Sequence, residues 1–491
     1  MNKFVKRLTS ILALVIILVT FCDVSTIAEA KKKKTPKALD ATFATAAAAQ
    51  LIDGNTVAFA ATLPSVPASD DGVVYVYELA TYQYALDGLA PIATVALSTN
   101  PYVTFALNHK TANTRLYSKF VAAVKVNGVM TMICQPQYIT NPEILATHTH
   151  ARAAHAKKGL QGVDFMNVLM HQQTQILASR LPRVAQIINN GADQAMTNPY
   201  SRLDVMPLDP YPQTASYYML NAADAQGVNL LINKMEYYGS TANVTDDWII
   251  GNEVNVRQWN YMIFTSWDDY MRQYEQVFRI CYTAIKSNNA NAEVLICLDQ
   301  NWDRNRPASH AEYYQYMDGK DFIDKFAADI AATGNISWGV AQHPYTVPLY
   351  YAKFWDMSGT PDGGYMAGMI KNNKMVSFQN ISTITNYMAT NPKLLSPQGT
   401  VRPILLSECG ICNAQGGDVQ AAALCTSYVA AVTNPYVEQI IYSSANHGTF
   451  DSTFLPEAQD MYNNMDGVNA EAYMNKALAI MGKTSFTQVI K

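Results

Sequence analysis

From about residue 158 onward, short apolar runs alternate with amphipathic stretches long enough to be helices. This alternation constrains the fold more than any other feature of the chain, because it is the pattern of βα units laid around a parallel sheet. Candidate strands fall at residues 159–163, 184–189, 228–235, 248–253, 294–300, 336–343, 403–408 and 438–443. Eight strands close a (β/α)8 barrel, and units of roughly thirty to forty residues suit such a barrel with inserted loops. Residues 267–286 read as one of the intervening helices, opened by Ser266 and Asp269 in a capping arrangement, and residues 419–432 read as another. The expected fold class is therefore α/β, a TIM barrel over residues 158–491.

The chain of 491 residues is too long for one compact core of ordinary size, and its first part has a different period. Short strands are expected at residues 56–61, 73–79, 92–97, 102–107 and 120–126. Asn127-Gly128 lies between two alternating segments, the strongest short-range hairpin signal. Closely spaced strands with no helical period predict a small all-β sandwich over residues 38–138. Such a domain suits either glycan binding or packing support. Residues 139–157, polar, Ala-rich and carrying His148, His150 and His155, read as a linker.

The N-terminus carries Lys3, Lys6 and Arg7, then an apolar run over residues 11–21, then Ala28 and Ala30. That is the layout of a cleaved signal peptide over residues 1–30, followed by a basic tail at residues 31–37. The apolar run is too short for a membrane span, and no later segment reaches the ~20 apolar residues that a span needs. A secreted, extracellular or cell-surface protein without a membrane span is expected, monomeric by default. Phe21 stands before Cys22 where lipidation would call for a small residue. A net charge of −4 gives no reason to expect a nucleic-acid partner. Cys281, Cys297 and Cys425 lie in apolar contexts and read as small buried hydrophobes. Cys409 and Cys412 lack further ligands at zinc spacing, so a structural role is expected, with or without a disulfide.

The chemistry is expected at the C-terminal ends of the barrel strands. The apolar run 248–250 passes through Gly251 into Asn252-Glu253, and the run 403–406 ends in Ser407-Glu408. Neighbouring strand ends supply Asp299, Asn301 and Trp302, then His343 and Tyr345, then Ser443, Ser444, Asn446 and His447. Two carboxyls at one barrel mouth are what glycoside hydrolysis needs, one to protonate the departing oxygen and one to meet the anomeric carbon. Aromatic faces in the βα loops suit the C–H faces of sugar rings. Trp259 and Trp302, each close behind a strand end, are the expected platforms, with Asn301 a further sugar contact. The long loop 346–380 is placed to wall a cleft.

With Gly251-Asn252-Glu253 and Ser407-Glu408 at the fourth and seventh strand candidates, the barrel region resembles the clan A glycoside hydrolases. Within them it is most similar to a secreted bacterial branch whose substrate is not settled. The resemblance implies that Glu253 is the acid/base, Glu408 the nucleophile, and Asn252 the partner of the sugar 2-hydroxyl. It also implies that His343 or Tyr345 hydrogen-bonds the nucleophile or the sugar. The clan retains anomeric configuration, which calls for carboxyls ~5 to 5.5 Å apart. Asn189-Asn190 stands where many members carry Arg, and residues 443–445 stand where many carry Trp, so the sugar-gripping subsite is unassigned.

The sequence therefore reads as a secreted retaining glycoside hydrolase acting on a poly- or oligosaccharide, with no metal and no cofactor. Its rivals are a transglycosylase using the same site and a non-catalytic polysaccharide-binding surface protein. A metal-dependent hydrolase built on His343 and His447 is disfavoured by the lack of a His-x-His in the first strand.

Overall fold

The computed structural model describes residues 44–109, 115–147, 157–162, 184–188, 247–256, 266–304, 316–447 and 450–491, with residues 227–229, 231–233, 235–236 and 259 between them. The signal peptide, the basic tail and His148, His150 and His155 lie outside the described residues.

Two antiparallel sheets come first. One is built from β1 (Ala46–Leu51), β2 (Thr56–Thr62) and β5 (Tyr102–Ala106) in the order β1-β2-β5. The other has the order β4-β3-β6-β7, from β3 (Val73–Leu79), β4 (Ala93–Ala96), β6 (Lys119–Val126) and β7 (Val129–Met132), with β8 (Gln137–Tyr138) also on β6. Phe105 of β5 and Phe120 of β6 join the sheets at a ring distance of 4.9 Å. The hairpin β6-β7 turns through Asn127 and Gly128 at φ +51° and +76°, the left-handed pair that a two-residue turn requires. Strand β1 was hidden in the sequence: its run of alanines has no β preference of its own, and pairing with β2 along its whole length imposes the conformation.

The second part is a parallel sheet in the order β15-β14-β13-β12-β11-β10-β9. Its strands are β9 (Leu160–Gly162), β10 (Val184–Ile188), β11 (Asp247–Ile250), β12 (Glu293–Leu298), β13 (Gly339–Gln342), β14 (Ile404–Gly410) and β15 (Val437–Ser443). The sheet turns back on itself. Lys158, just before β9, forms a parallel bridge to Ile440 of β15, and the Gly159 N–H donates to the Ile440 carbonyl at 2.9 Å.

One of the eight expected strands is not a strand. Residues 227–229, 231–233 and 235–236 are helical, and β10 pairs directly with β11, Ala185 opposite Asp247. The reason is in the spacing: Val228, Leu231, Ile232 and Met235, all buried, recur at i, i+3, i+4 and i+7, the period of a helix face. In the described sheet the strands that lead into Glu253 and Glu408 are accordingly the third and sixth, still three apart.

Along the parallel strands from β11 to β15 the side chains alternate between two apolar regions. Ile249, Leu295, Cys297, Ala341, Leu405 and Ile441 form a small buried cluster of their own, while their neighbours Trp248, Ile250, Ile296, Val340 and Leu406 join the large core shared with the helices. The helix Trp267–Lys286 begins as expected, with the Ser266 hydroxyl accepting from the Asp269 N–H at 3.1 Å. The helix Gly417–Thr433 is buried almost throughout. Among the described residues, no helix is long and apolar enough to cross a membrane.

Candidate active site

Both candidate carboxylates owe their positions to departures from regular backbone. After β11 the chain turns through Gly251 at φ +81°, and Glu253 itself takes φ +43°, a left-handed conformation that non-glycine residues adopt only when their surroundings enforce it. Those surroundings are visible. The buried Tyr270 and Tyr274 hydroxyls of the Trp267–Lys286 helix donate to the carbonyls of Val254 at 2.6 Å and Ile250 at 2.7 Å, and the Val254 N–H donates to the Cys297 carbonyl at 2.8 Å. The Asn255 amide clamps the same loop to β12, donating to Asp299 Oδ1 at 2.6 Å while its oxygen accepts from the Asp299 N–H at 3.0 Å.

Glu408 is set by a β-bulge. Leu406 pairs with Ile440, yet the next pair is Cys409 with Tyr442, so β14 carries one residue more than β15 over this step. Simple alternation from the inward Leu405 would turn position 408 away from the interior. The extra residue restores it to the inner side.

The two glutamates meet at one imidazole. His343 is fully buried, and its Nδ1 lies 2.9 Å from Glu253 Oε1 and 3.0 Å from Glu408 Oε2. One oxygen of each glutamate and the ring nitrogen all lie within 4.8 Å of one another. The Glu253 side chain is 15% exposed and that of Glu408 26%, so both open to solvent, Glu253 less than its partner. Behind the ring, Nε2 lies 3.1 Å from Cys297 Sγ. Burial, the largest single influence on His343, disfavours its charge, but Cys297, Glu408 and Glu253 outweigh it and hold the ring's pKa well above the ordinary value. The Tyr345 hydroxyl donates to Glu408, and burial together with the two carboxylates raises its pKa far above normal.

Asp299 is pushed up to about 7, first by burial and then by the charge of Glu253, against the hydrogen bonds that it accepts from Asn255 and Asn301. Sequence reasoning missed Asn255 as the clamp of this loop and Cys297 as the partner of His343. A polar residue two positions after Glu253 was the available signal for the first. For the second there was none, since a cysteine inside an apolar strand reads as a small hydrophobe.

One expected sugar contact is corrected. Trp302 is 4% exposed and packs edge-on against Tyr387 at 5.4 Å, under a helix start where Gly319 leaves room for its ring, so it is core and offers no face to a ligand. Asn301 is half-buried: its nitrogen donates to Asp299 Oδ2, and its oxygen accepts from Arg304 at 2.8 Å. Asn252 is nearly buried beside Glu253, and Trp259 is half-buried next to residues outside the described set. The side chain of His447 also lies outside it. Cys409 and Cys412 are both free and buried, so no disulfide links them. An exposed aromatic does stand nearby. Tyr345 contacts Phe450 at 5.9 Å, and Phe450 in turn contacts the half-exposed Tyr350 at 5.7 Å.

Glu253, His343 and Glu408 are also the kind of set that could ligate a cation. The two uses of Nδ1 exclude each other, because a nitrogen that donates its proton to carboxylates has no lone pair for a metal.

Residues 165–489 match the model of DUF5722, a family of unknown function. The chain belongs to the DUF5722 family. No curated protein sequence matches it. Solved structures similar to this member of DUF5722 include a family 39 glycoside hydrolase from Bacteroides cellulosilyticus WH2, at 13% identity and a TM-score of 0.37, covering 82% of this chain and 79% of the other. A GH128 endo-β-1,3-glucanase from Sorangium cellulosum has 13% identity and a TM-score of 0.34, over 64% of this chain and 100% of its own. An endo-1,4-β-mannanase from Rhizomucor miehei has 12% identity and a TM-score of 0.30, over 68% and 97%. These neighbours are glycoside hydrolases, but at these scores the likeness fixes no activity for the DUF5722 chain.

Proposed function

We propose that the protein is a retaining glycoside hydrolase that acts outside the cell on a poly- or oligosaccharide, its parallel sheet serving as the barrel of the clan A enzymes. The observation that carries this reading is the pair of partly exposed carboxylates, with oxygens within 4.8 Å of each other, at a single buried imidazole. Oxygens this close are compatible with the ~5 to 5.5 Å between carboxyl groups that double displacement uses.

In the first step a Glu408 oxygen attacks the anomeric carbon as the bond to the leaving oxygen breaks, and the Glu253 proton passes to that oxygen. In the second, water attacks the same carbon, gives a proton to Glu253 and displaces Glu408, which restores both side chains. Glu408 accepts hydrogen bonds from Tyr345 and faces the His343 N–H, which suits an ionised nucleophile. Glu253, the less exposed of the two, is the acid in this reading.

The test is release of reducing sugar from a panel of α- and β-linked polysaccharides and aryl glycosides. Glu253→Gln is expected to lower kcat by on the order of a hundred- to ten-thousandfold on polysaccharide, and Glu408→Gln to reduce turnover to background. Full activity in either variant would overturn the assignment. Loss of wild-type activity in chelator, restored by a divalent cation, would instead favour the ligand use of the same three residues.

A further inference from the structure

Cys297 has no part in the steps above, yet its sulfur is the polar atom behind the ring that both carboxylates share. It lies on β12 in the small inner cluster with Ile249, Leu295, Ala341, Leu405 and Ile441, where a hydrocarbon side chain would pack as well. Its place follows from register: Leu295, Cys297 and Asp299 are two residues apart and point inward together, while Cys297 pairs with Ala341, two residues before His343.

The ring faces a defined set of titratable groups. Glu253 approaches from the loop after β11, Cys297 belongs to β12, Tyr345 follows β13, and Glu408 comes from β14, while Asp299, just after β12, feels the charge of Glu253. Nδ1 meets two acceptors at 2.9 and 3.0 Å. Were Nδ1 to carry a lone pair, Glu408 would be repelled, and the Glu253 hydroxyl would be spent on the ring instead of reaching a leaving group. Nδ1 must therefore keep its hydrogen while Glu253 gives up and regains its own proton. What Nε2 faces decides whether that can hold. A carboxylate or carbonyl there only accepts, so a neutral ring would place its hydrogen on Nε2 and strip Nδ1. A thiol is both a weak donor and a weak acceptor. It can donate to Nε2 of a neutral ring and accept from Nε2–H of a charged one, and the hydrogen on Nδ1 stays in both cases.

We propose that Cys297 is a positioning residue that holds His343 with its Nδ1–H toward Glu253 and Glu408 in both charge states of the ring. The role in turnover rests on the glycosidase reading, but the tautomer does not.

The experiment is nitrogen-15 NMR of histidine-labelled protein, with His343 assigned by its loss in His343→Gln, recorded across the pH range in which the fold persists. In wild type and in Cys297→Ser, whose hydroxyl can also donate and accept, Nδ1 is expected to keep the shift of a protonated nitrogen throughout. In Cys297→Asp, whose carboxylate only accepts, a population with unprotonated Nδ1 is expected wherever the ring is neutral. On any glycoside that the wild type cleaves, the aspartate variant should lose about tenfold in kcat with KM little changed, and the serine variant should keep it. An unprotonated Nδ1 in wild type, or a protonated one in Cys297→Asp wherever the ring is neutral, overturns the proposal. Absence of turnover in wild type with the expected NMR pattern overturns the glycosidase reading and leaves the tautomer assignment standing.

Discussion

At the scale of single residues, the site depends on a few buried hydroxyls and amides that hold its backbone in place. Tyr270 is fully buried, and its hydroxyl donates to the Val254 carbonyl inside the loop that presents Glu253. Tyr270→Phe leaves that carbonyl buried without this donor, at a cost of about 1–3 kcal/mol. Thermal unfolding should register the loss, and turnover should fall with it, because the left-handed turn at Glu253 loses a constraint. An unchanged melting temperature would mean that the loop is held by other contacts. At this scale the sequence was legible where chemistry interrupts a pattern. Glu253, Glu408 and His343 stand out because charged or ionisable groups close apolar runs that would otherwise stay buried. Trp302 was misread because proximity in sequence to a strand end does not say which way a ring turns, and here it turns into the core.

At the scale of elements, β6 illustrates what burial on both faces demands. Its first six residues are buried, and they include Lys119, whose ammonium has no hydrogen-bond partner among the described residues and sits 3.6 Å over the Tyr84 ring. Burial pulls its pKa from 10.5 down to about 7, only partly opposed by Glu275. A lysine whose folded pKa is lowered costs the fold nothing while it is neutral in both states. The cost grows as pH falls from about 10.5 to about 7, and is constant below. Lys119→Met should therefore stabilise the protein by about 1–4 kcal/mol at pH 7 and below, with the gain shrinking toward pH 10 in chemical denaturation. A gain independent of pH would mean that the ammonium is solvated. The strands around β6 were legible through their β-branched and aromatic residues, and the Asn127-Gly128 turn by its chemistry. Residues 228–235 were not, because a short apolar run suits a strand or a helix until its spacing is weighed.

At the scale of the whole molecule, residues 41–491 form one compact unit, although the sequence changes texture near residue 139. The join is built from backbone and buried side chains. The Tyr138 N–H donates to the Thr333 carbonyl at 2.8 Å, Gln137 donates to the Ala332 carbonyl at 2.8 Å, and the Arg279 guanidinium lies 4.9 Å over the Tyr138 ring. Gly334 closes this seam at φ +116°, where a Cβ would stand 2.8 Å from Thr140 Cγ2. Gly334→Val should cost about 1–3 kcal/mol from backbone strain alone and lower a single calorimetric transition. Two transitions, with only one displaced, would show that the antiparallel sheets and the parallel sheet unfold separately. This seam was invisible in the sequence because its contacts are made by backbone groups, a glycine and isolated side chains, which together carry no pattern.

The bulge in β14 makes the side that Glu408 faces a matter of counting. Were it lost with the length unchanged, Glu408 would pair with Tyr442 and, alternating from Leu405, face the helices without any change in its chemistry. A slip of one residue against β15 is thus a simpler route than substitution for a related chain to keep this sheet and empty its site. Among homologues, one that keeps the glutamate but pairs this strand without the bulge should lack any activity that the site supports.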